Sequence, residues 1–207
     1  MNILIDDLPQ SVEIDGVSYA VNWGFRTFIL IEICIFDEKI SDSAQIATAL
    51  NLFYVDLPND PNQAFDKMMW FYRGGAGEKK VKGAGSSNAK RAYCFEQDAA
   101  YIYSGFKTQY GIDLQDISSL DLHWWKFKAM FESLDDDLKI SKIMGYRLTS
   151  TSGMDKGQKK FYADMKKLYA LDVETNVDSK IALAKRNADL QKYVTRRAKE
   201  VSGEKES

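Results

Sequence analysis

The spacing of apolar residues most constrains the fold of this chain, because they recur at steps of three and four in five separate segments. Such steps place side chains on one face of an α-helix, whereas a half-buried strand alternates apolar and polar residues. The five stripes are Ile46, Ala49, Leu50 and Phe53; Phe65, Met68, Met69 and Tyr72; Phe95, Ala99, Ile102, Phe106 and Tyr110; Trp124, Phe127, Phe131 and Leu134; and Phe161, Met165 and Leu168. The sequence therefore predicts a mainly α fold, a multi-helix globular domain.

Local signals mark where several of these helices begin and end. Asp60 followed by Pro61 is typical of a helix N-terminus, and Gly74-Gly75 and Gly111 stand where helices should stop. Residues 138–147 add a further helix, preceded by three aspartates. Residues 25–36, "FRTFILIEICIF", fit either a buried strand or a buried helix, and their length of about three turns favours a helix.

A short β-hairpin is predicted near the N-terminus, over residues 11–22. Val12 and Ile14 alternate with polar neighbours, Asp15-Gly16 supplies the turn, and the alternation resumes at Val17. An Asp-Gly pair between two such runs is a strong hairpin signal, because both residues tolerate positive φ.

The chain is predicted to form one helical domain over residues 1–171 and a polar C-terminal helix or tail over residues 172–207. Within the domain, residues 74–91 are rich in Gly, Ser and Lys, and we expect a flexible loop there. A phosphate-binding loop is the sharper alternative. It fails because no Gly-Lys-Ser/Thr ends the segment and a helix rather than a strand precedes it.

Composition argues against several classes of partner. The net charge of the 207 residues is −2, without a basic stripe, so we expect no nucleic-acid binding. The most apolar stretch is interrupted by Glu32 and is shorter than a membrane span, and the N-terminus lacks the features of a signal peptide. Cys34 and Cys94 lie in apolar runs without CxxC spacing, which indicates reduced, buried thiols. A protein that stays inside the cell is therefore expected.

The single histidine, His123, could be a catalytic base, a metal ligand or part of a packed helix. With Ser119 or Asp121 as the cap, it would lie in the first turn, where the helix dipole disfavours the imidazolium form. A metal site needs several His, Cys, Asp or Glu ligands at tight spacing, and neither that nor a GxSxG nucleophile motif is present. The sequence predicts a protein that is not an enzyme and has no cofactor and no metal.

Two runs of large side chains are candidates for partner binding. Consecutive residues of one helix cannot all face a single core, so we select Met69, Trp70 and Phe71, together with the adjacent Trp124 and Trp125. Each run has two interpretations. A second helix of the same chain covers the extra side chains, or a partner protein does.

Several blocks, taken in order, resemble a known protein family. They are "YCFEQDAAYIYSGFKTQYGIDL" (residues 93–114), "LHWWKFKAMFESL" (residues 122–134) and "KIMGYR" (residues 142–147), preceded by the hairpin, "ALNLFY" and "MMWFYRGG". Over residues 12–171 the chain resembles the tail-assembly chaperones of siphophages and prophages of Gram-positive bacteria, which are encoded between the major tail protein and the tape-measure protein.

The resemblance implies a function in building a non-contractile tail. Such a chaperone binds the long tape-measure protein while tail-tube subunits polymerise around it. It implies the tape-measure protein as a partner, with the major tail (tube) protein, an upstream chaperone and a second copy of the chain as further candidates. The expected location is the host cell cytoplasm, with the protein absent from the mature virion. The alternative is a structural virion protein, either a head-tail connector or a tail-completion protein.

Overall fold

The Asp15-Gly16 pair forms the turn that the sequence predicts. The computed structural model describes residues 1–37, 39–76, 91–116 and 121–171, and in it strands β1 (Ser11–Ile14) and β2 (Val17–Ala20) pair antiparallel. Asp15 and Gly16 have φ angles of 51° and 78°, as a two-residue I′ turn requires. The predicted hairpin is confirmed.

The hairpin buries one side of β1 and much less of β2. Val12 and Ile14 of β1 are buried, whereas Val17 of β2 is exposed and the alternation reaches the core again only at Val21. The backbone N–H of Val55 donates to the carbonyl of Ala20, which joins the end of β2 to the segment after α2.

Two helices follow the hairpin. Helix α1 (Phe25–Ile35) confirms the helical interpretation of the most apolar stretch. Helix α2 (Asp42–Phe53) begins at Ser41, whose hydroxyl accepts from the backbone N–H of Ala44. The predicted stripe of α2 is correct only toward its end, since Ile46 is 41% exposed while the C-terminal residues are buried.

Helix α3 (Pro61–Tyr72) begins as predicted. Oδ1 of Asp60 accepts from the backbone N–H groups of Asn62 and Gln63, and Pro61 occupies the first helical position. The predicted buried face of α3 is wrong, because the helix is rotated about its axis relative to the prediction. The buried residues of α3 are Ala64, Met68 and Phe71, while Phe65, Met69 and Tyr72 are half-buried. Gly74 and Gly75 then end the helix at positive φ, as expected.

Helices α4 (Ala99–Tyr110) and α5 (Trp124–Glu132) form the next pair. Gly111 adopts the left-handed conformation at the end of α4, with φ of 68°, which confirms the predicted stop. The predicted stripe of α5 is confirmed, because its four residues are all buried: Trp124, Phe127, Phe131 and Leu134.

The last two described helices are α6 (Lys139–Leu148) and α7 (Lys156–Leu168). Helix α7 starts at Asp155 with a capping box, in which Asp155 and Gln158 exchange side-chain to backbone hydrogen bonds. None of the 13 residues of α7 is buried. The expectation that its stripe faces a core is wrong, since Phe161 is 48% and Leu168 65% exposed.

The core is built around one phenylalanine of α1. The ring of Phe28 stacks on Phe71 of α3 and on Trp124 of α5, with ring centroids 5.4 and 5.0 Å apart, and meets Phe53 of α2 edge-on. Helix α1 is therefore the central element on which three other helices converge. The architecture is mainly α with a short antiparallel hairpin, as predicted.

Two predicted segments lie outside the described residues, namely residues 77–90 of the loop and the polar helix or tail over 172–207. Met1–Leu171 forms one compact unit. Within the described ranges, no helix combines the length and apolarity needed to cross a membrane.

Candidate functional site

The opening of α5 is organised by His123, which is itself the N-cap of the helix. Nδ1 of His123 accepts from the backbone N–H of Trp125 at 3.0 Å, and Nε2 lies 3.0 Å from the carbonyl oxygen of Pro9. Since Nδ1 is an acceptor, the neutral ring carries its proton on Nε2 and donates it to Pro9. The predicted caps are therefore wrong. Asp121 precedes the cap by two residues, and Ser119 lies outside the described residues.

The surroundings of His123 keep its ring neutral. Burial lowers the pKa of His123, and the positive charge of Lys126 lowers it further, against the hydrogen bond to Pro9. The imidazole also stacks on the indole of Trp23, with an interplanar angle of 12°. Both ring nitrogens are occupied by main-chain groups, so the ring can accept a proton or a metal ion only after one of these bonds breaks.

The two consecutive tryptophans bind the end of α3. Nε1 of Trp124 donates to the carbonyl of Tyr72 at 2.9 Å, and Nε1 of Trp125 donates to the carbonyl of Phe71 at 2.7 Å. The last carbonyls of a helix have no partner within it. The indole of Trp124 supplies a partner for the carbonyl of Tyr72, and the indole of Trp125 adds a second bond to the carbonyl of Phe71, which also accepts from the backbone N–H of Gly74. The indoles are 3% and 5% exposed. We call the cluster of Trp70, Phe71, His123, Trp124 and Trp125 the aromatic junction.

A glycine makes room for the second indole. A Cβ atom on Gly75 would lie 2.6 Å from Cη2 of Trp125, closer than packed atoms approach, whereas a Cβ on Gly74 would meet nothing within 4 Å. Gly75 is therefore required by its contact as well as by its positive φ.

The five predicted partner-binding residues are divided between the core and its edge. Phe71, Trp124 and Trp125 are buried, which is the first of the two interpretations offered by the sequence, while Met69 and Trp70 are half-buried. That these five residues bind a partner stays a prediction.

Trp70 lines an open groove at the edge of the aromatic junction. The groove lies between α3 and β1 and has a volume of about 240 Å³, with Lys67 and Trp70 on one side and Ser11, Val12 and Glu13 on the other. Trp70 also meets Trp125 edge-on, with ring centroids 5.6 Å apart. The groove therefore offers an indole, an exposed lysine and a strand to a neighbouring molecule.

Helix α1 carries a buried carboxylate. Oε2 of Glu32 accepts from the hydroxyl of Tyr72 at 2.8 Å and is 3.5 Å from that of Tyr93. Burial raises the pKa of Glu32, although the two hydroxyls and Arg91 oppose the shift. Burial also raises the pKa of each tyrosine, and the neighbouring carboxylate adds to it. The group links α1 to α3 and to the segment before α4.

A second buried polar group joins α4 to α6. The guanidinium of Arg147 forms two hydrogen bonds with the carboxylate of Asp98, at 2.6 and 3.0 Å, and also donates to the carbonyls of Ala92 and Tyr169. Both side chains are almost fully buried. Sequence reasoning missed Arg147, Asp98 and Glu32 as a group of functional interest, because their partners are distant along the chain.

The remaining candidates for chemistry are separate from one another. Cys34 and Cys94 are buried free thiols, as expected, and burial raises the pKa of Cys34. Asp135, Asp136 and Asp137 precede α6, as predicted for a helix start. Over the ranges that the structure describes, no three His, Cys, Asp or Glu side chains are placed to hold a metal ion.

These features define a mainly helical protein whose central cluster is aromatic and hydrogen-bonded to main-chain groups. Residues 4–171 match the family described as Bacteriophage Gp15 protein, and the chain belongs to that family. It is therefore a bacteriophage protein. No curated protein and no solved structure matches the chain.

Proposed function

We propose that this bacteriophage protein is a tail-assembly chaperone that binds the tape-measure protein while a non-contractile tail is built. The observation that carries the proposal is the apolar surface at the edge of the aromatic junction. Met69 and Trp70 are half-buried there, and Trp70 opens into the groove beside β1. Met and Trp side chains adapt to varied apolar partners, as a protein that shields another chain requires.

The same proposal assigns no catalytic step to the protein. His123 is the cap of α5 and binds two main-chain groups, which supports a structural function for the single histidine. Stability, rather than turnover, is then the property that changes when this ring is replaced.

The proposed partners are the tape-measure protein first, then the major tail (tube) protein and an upstream chaperone. The proposed place of action is the host cell cytoplasm. In this proposal the chain dissociates from the assembling tail before the virion is complete. We also propose that the phage is a siphophage or prophage of a Gram-positive bacterium. This part of the proposal rests on the sequence blocks that resemble the chaperone family, all of which lie within the matched residues 4–171.

Co-expression with the tape-measure protein from the same phage tests the proposal. We expect soluble tape-measure protein to increase and to co-purify with this chain. Trp70→Ala should reduce the co-purified amount, whereas Ile46→Ala, at another exposed apolar position, should not. Circular dichroism spectra of both variants serve as the control that each one folds. If the tape-measure protein stays insoluble and nothing co-purifies, the chaperone function is wrong.

One observation favours the second candidate, a structural virion protein of the head-tail connector or tail-completion type. Three of the five predicted partner-binding residues are in the core, so the adaptable apolar surface is smaller than the sequence indicates. A rigid, well-packed domain suits a permanent position in a particle. Stoichiometric presence in purified particles would support this candidate and contradict the first.

A further inference from the structure

Two exposed apolar surfaces of this chain carry opposite charges. The first is the turn at residues 3–7, where Leu4 and Ile5 are 86% and 80% exposed and are followed by Asp6 and Asp7. The second is the outer side of α7. We propose that the turn of one copy docks on α7 of another copy, so that the protein associates head to tail.

The turn is an ordered structure with a defined shape. The carbonyl of Asn2 accepts from the backbone N–H groups of Ile5 and Asp6, and the side chain of Asn2 accepts from the N–H of Leu4. These bonds fix one compact turn from which Ile3, Leu4 and Ile5 project. Three consecutive exposed aliphatic residues are unusual on a protein surface and mark a contact site.

The outer side of α7 has the complementary chemistry. Phe161 and Leu168 are seven residues apart, which places them about 10 Å apart along one face of the helix. Lys160 and Lys167 lie next to them in the sequence and are exposed, and Asp164 is the only acidic residue of the helix against five lysines. Of the residues that the structure describes, none supplies an acidic partner to Lys160 or Lys167.

Helix α7 keeps this face partly exposed although it packs on α6. Phe161 takes part in both, since its ring contacts Tyr146 and is still 48% exposed. Phe161 and Tyr162 pack edge-on against Tyr146 of α6, and Nζ of Lys166 donates to the carbonyl of Thr149. The capping box stabilises the helix at its start. The exposed stripe is thus presented by a helix that α6 already holds in place.

The charges select the occupant. A second α7 is disfavoured, because Lys160 and Lys167 of one copy would face Lys160 and Lys167 of the other. The acidic turn has the opposite sign and a matching apolar tip. Because the two surfaces differ, the contact is heterologous, and it extends into chains or rings rather than closing as a two-fold dimer. Both patches are small, so association should be weak and dependent on concentration.

Sedimentation velocity of the full-length chain over a range of concentrations tests the inference. We expect the average mass to increase with concentration beyond a dimer at low salt, and to decrease when salt is added. Asp6→Lys/Asp7→Lys and Lys160→Glu/Lys167→Glu should each weaken association about tenfold or more, because each removes the attraction. Asp6→Lys also removes the hydrogen bond that the carboxylate of Asp6 accepts from the N–H of Asn2, so recovery in a mixture of the two variants separates lost attraction from a lost turn. An equimolar mixture of the two variants should associate again, since every contact in it can pair opposite charges.

A matched control separates this contact from a change in net charge. Lys39→Glu/Lys107→Glu alters two exposed lysines away from α7 and from the groove by the same charge and should associate like the wild type. A wild-type chain that stays monomeric at every concentration would overturn the inference. So would association that stops at a dimer, or that persists in both charge-reversed variants. The result is independent of the proposed function, because no tail protein is present.

Discussion

His123 shows how one polar side chain can organise a junction between distant segments. Its ring connects Pro9, which precedes the hairpin, to the first turn of α5, and it stacks on Trp23 between the hairpin and α1. A residue that the sequence offered as a catalytic candidate is therefore a fold determinant in the structure.

Substitution of His123 tests its function as a cap. His123→Ala should lower the free energy of unfolding by about 1–3 kcal/mol, because it removes a buried N-cap and the bond to Pro9. His123→Asn keeps a side-chain acceptor for the N–H of Trp125, so its free energy of unfolding should decrease less. Urea unfolding measures both. Equal losses would show that the cap contributes little.

The same residue predicts a pH dependence of stability. Burial lowers the pKa of His123 below its ordinary value of 6.5, so the unfolded chain binds the proton first as the pH falls. The stability that His123 contributes is complete above pH 6.5 and decreases as the pH falls below it. Glu32 has the opposite slope, because its pKa is raised and its contribution is lost as the pH rises.

Urea unfolding at several pH values between 5 and 8 should therefore show a loss of stability on the acid side in the wild type. In His123→Asn this loss should be smaller, because the chain has no other histidine. An unchanged profile in the variant would assign the titration to a different group.

Two neighbouring glycines provide a matched test of the Trp125 contact. Gly74 and Gly75 have φ angles of 75° and 76°, so alanine at either position is strained by about 1–2 kcal/mol. Only at Gly75 does the added Cβ also collide with the indole, which should cost about 1–3 kcal/mol more. Thermal unfolding should thus give Gly75→Ala a clearly lower melting temperature than Gly74→Ala. Equal melting temperatures would mean that the indole moves aside freely.

At the scale of elements, local signals predicted helix ends better than helix faces. The turn at Asp15-Gly16, the start at Asp60-Pro61 and the stop at Gly111 depend only on neighbouring residues, and all three are confirmed. The buried face of α3 depends on what covers it. Phe71 is drawn into the core by Phe28 and Trp125, which the spacing within α3 does not indicate.

The contact between α4 and α6 predicts a strong dependence on Arg147. Breaking a buried ion pair costs about 3–5 kcal/mol, and lysine does not reproduce the forked hydrogen bonds of a guanidinium. Arg147→Lys should therefore lower the free energy of unfolding by about 3 kcal/mol. Lys142 lies on the same helix as Arg147 and forms an exposed ion pair with Asp137, which precedes the helix. Lys142→Ala breaks that pair and should leave the free energy of unfolding in urea unchanged. A small effect at Arg147 would show that water replaces the ion pair.

Helix α7 predicts an unusual tolerance of polar substitution. Phe161→Ser should change the free energy of unfolding by only about 0.5–1 kcal/mol, because the ring is half exposed. Ile140→Ala, in the fully buried stripe of α6, should cost about 2–4 kcal/mol. Urea unfolding compares them. A large loss at Phe161 would mean that the chain covers this face itself.

At the scale of the whole molecule, the fold class could be predicted from the sequence but the buried polar groups could not. Helical spacing is visible within any 12-residue window. Glu32 meets Tyr72 and Tyr93 across 40 and 61 residues, and Asp98 meets Arg147 across 49. Only folding brings such pairs together. For the same reason the sequence overestimated the apolar surface available to a partner, since the tryptophans of α5 bind the end of α3.

The central claim is that this phage protein acts during tail assembly and is not retained in the particle. Quantitative mass spectrometry of infected-cell lysate and of purified virions tests it most directly. We predict abundant peptides of this chain in the lysate and none above background in the virions, with the major tail protein as the internal standard. A constant ratio of this chain to the major tail protein through successive purification steps would contradict the claim and identify a structural component.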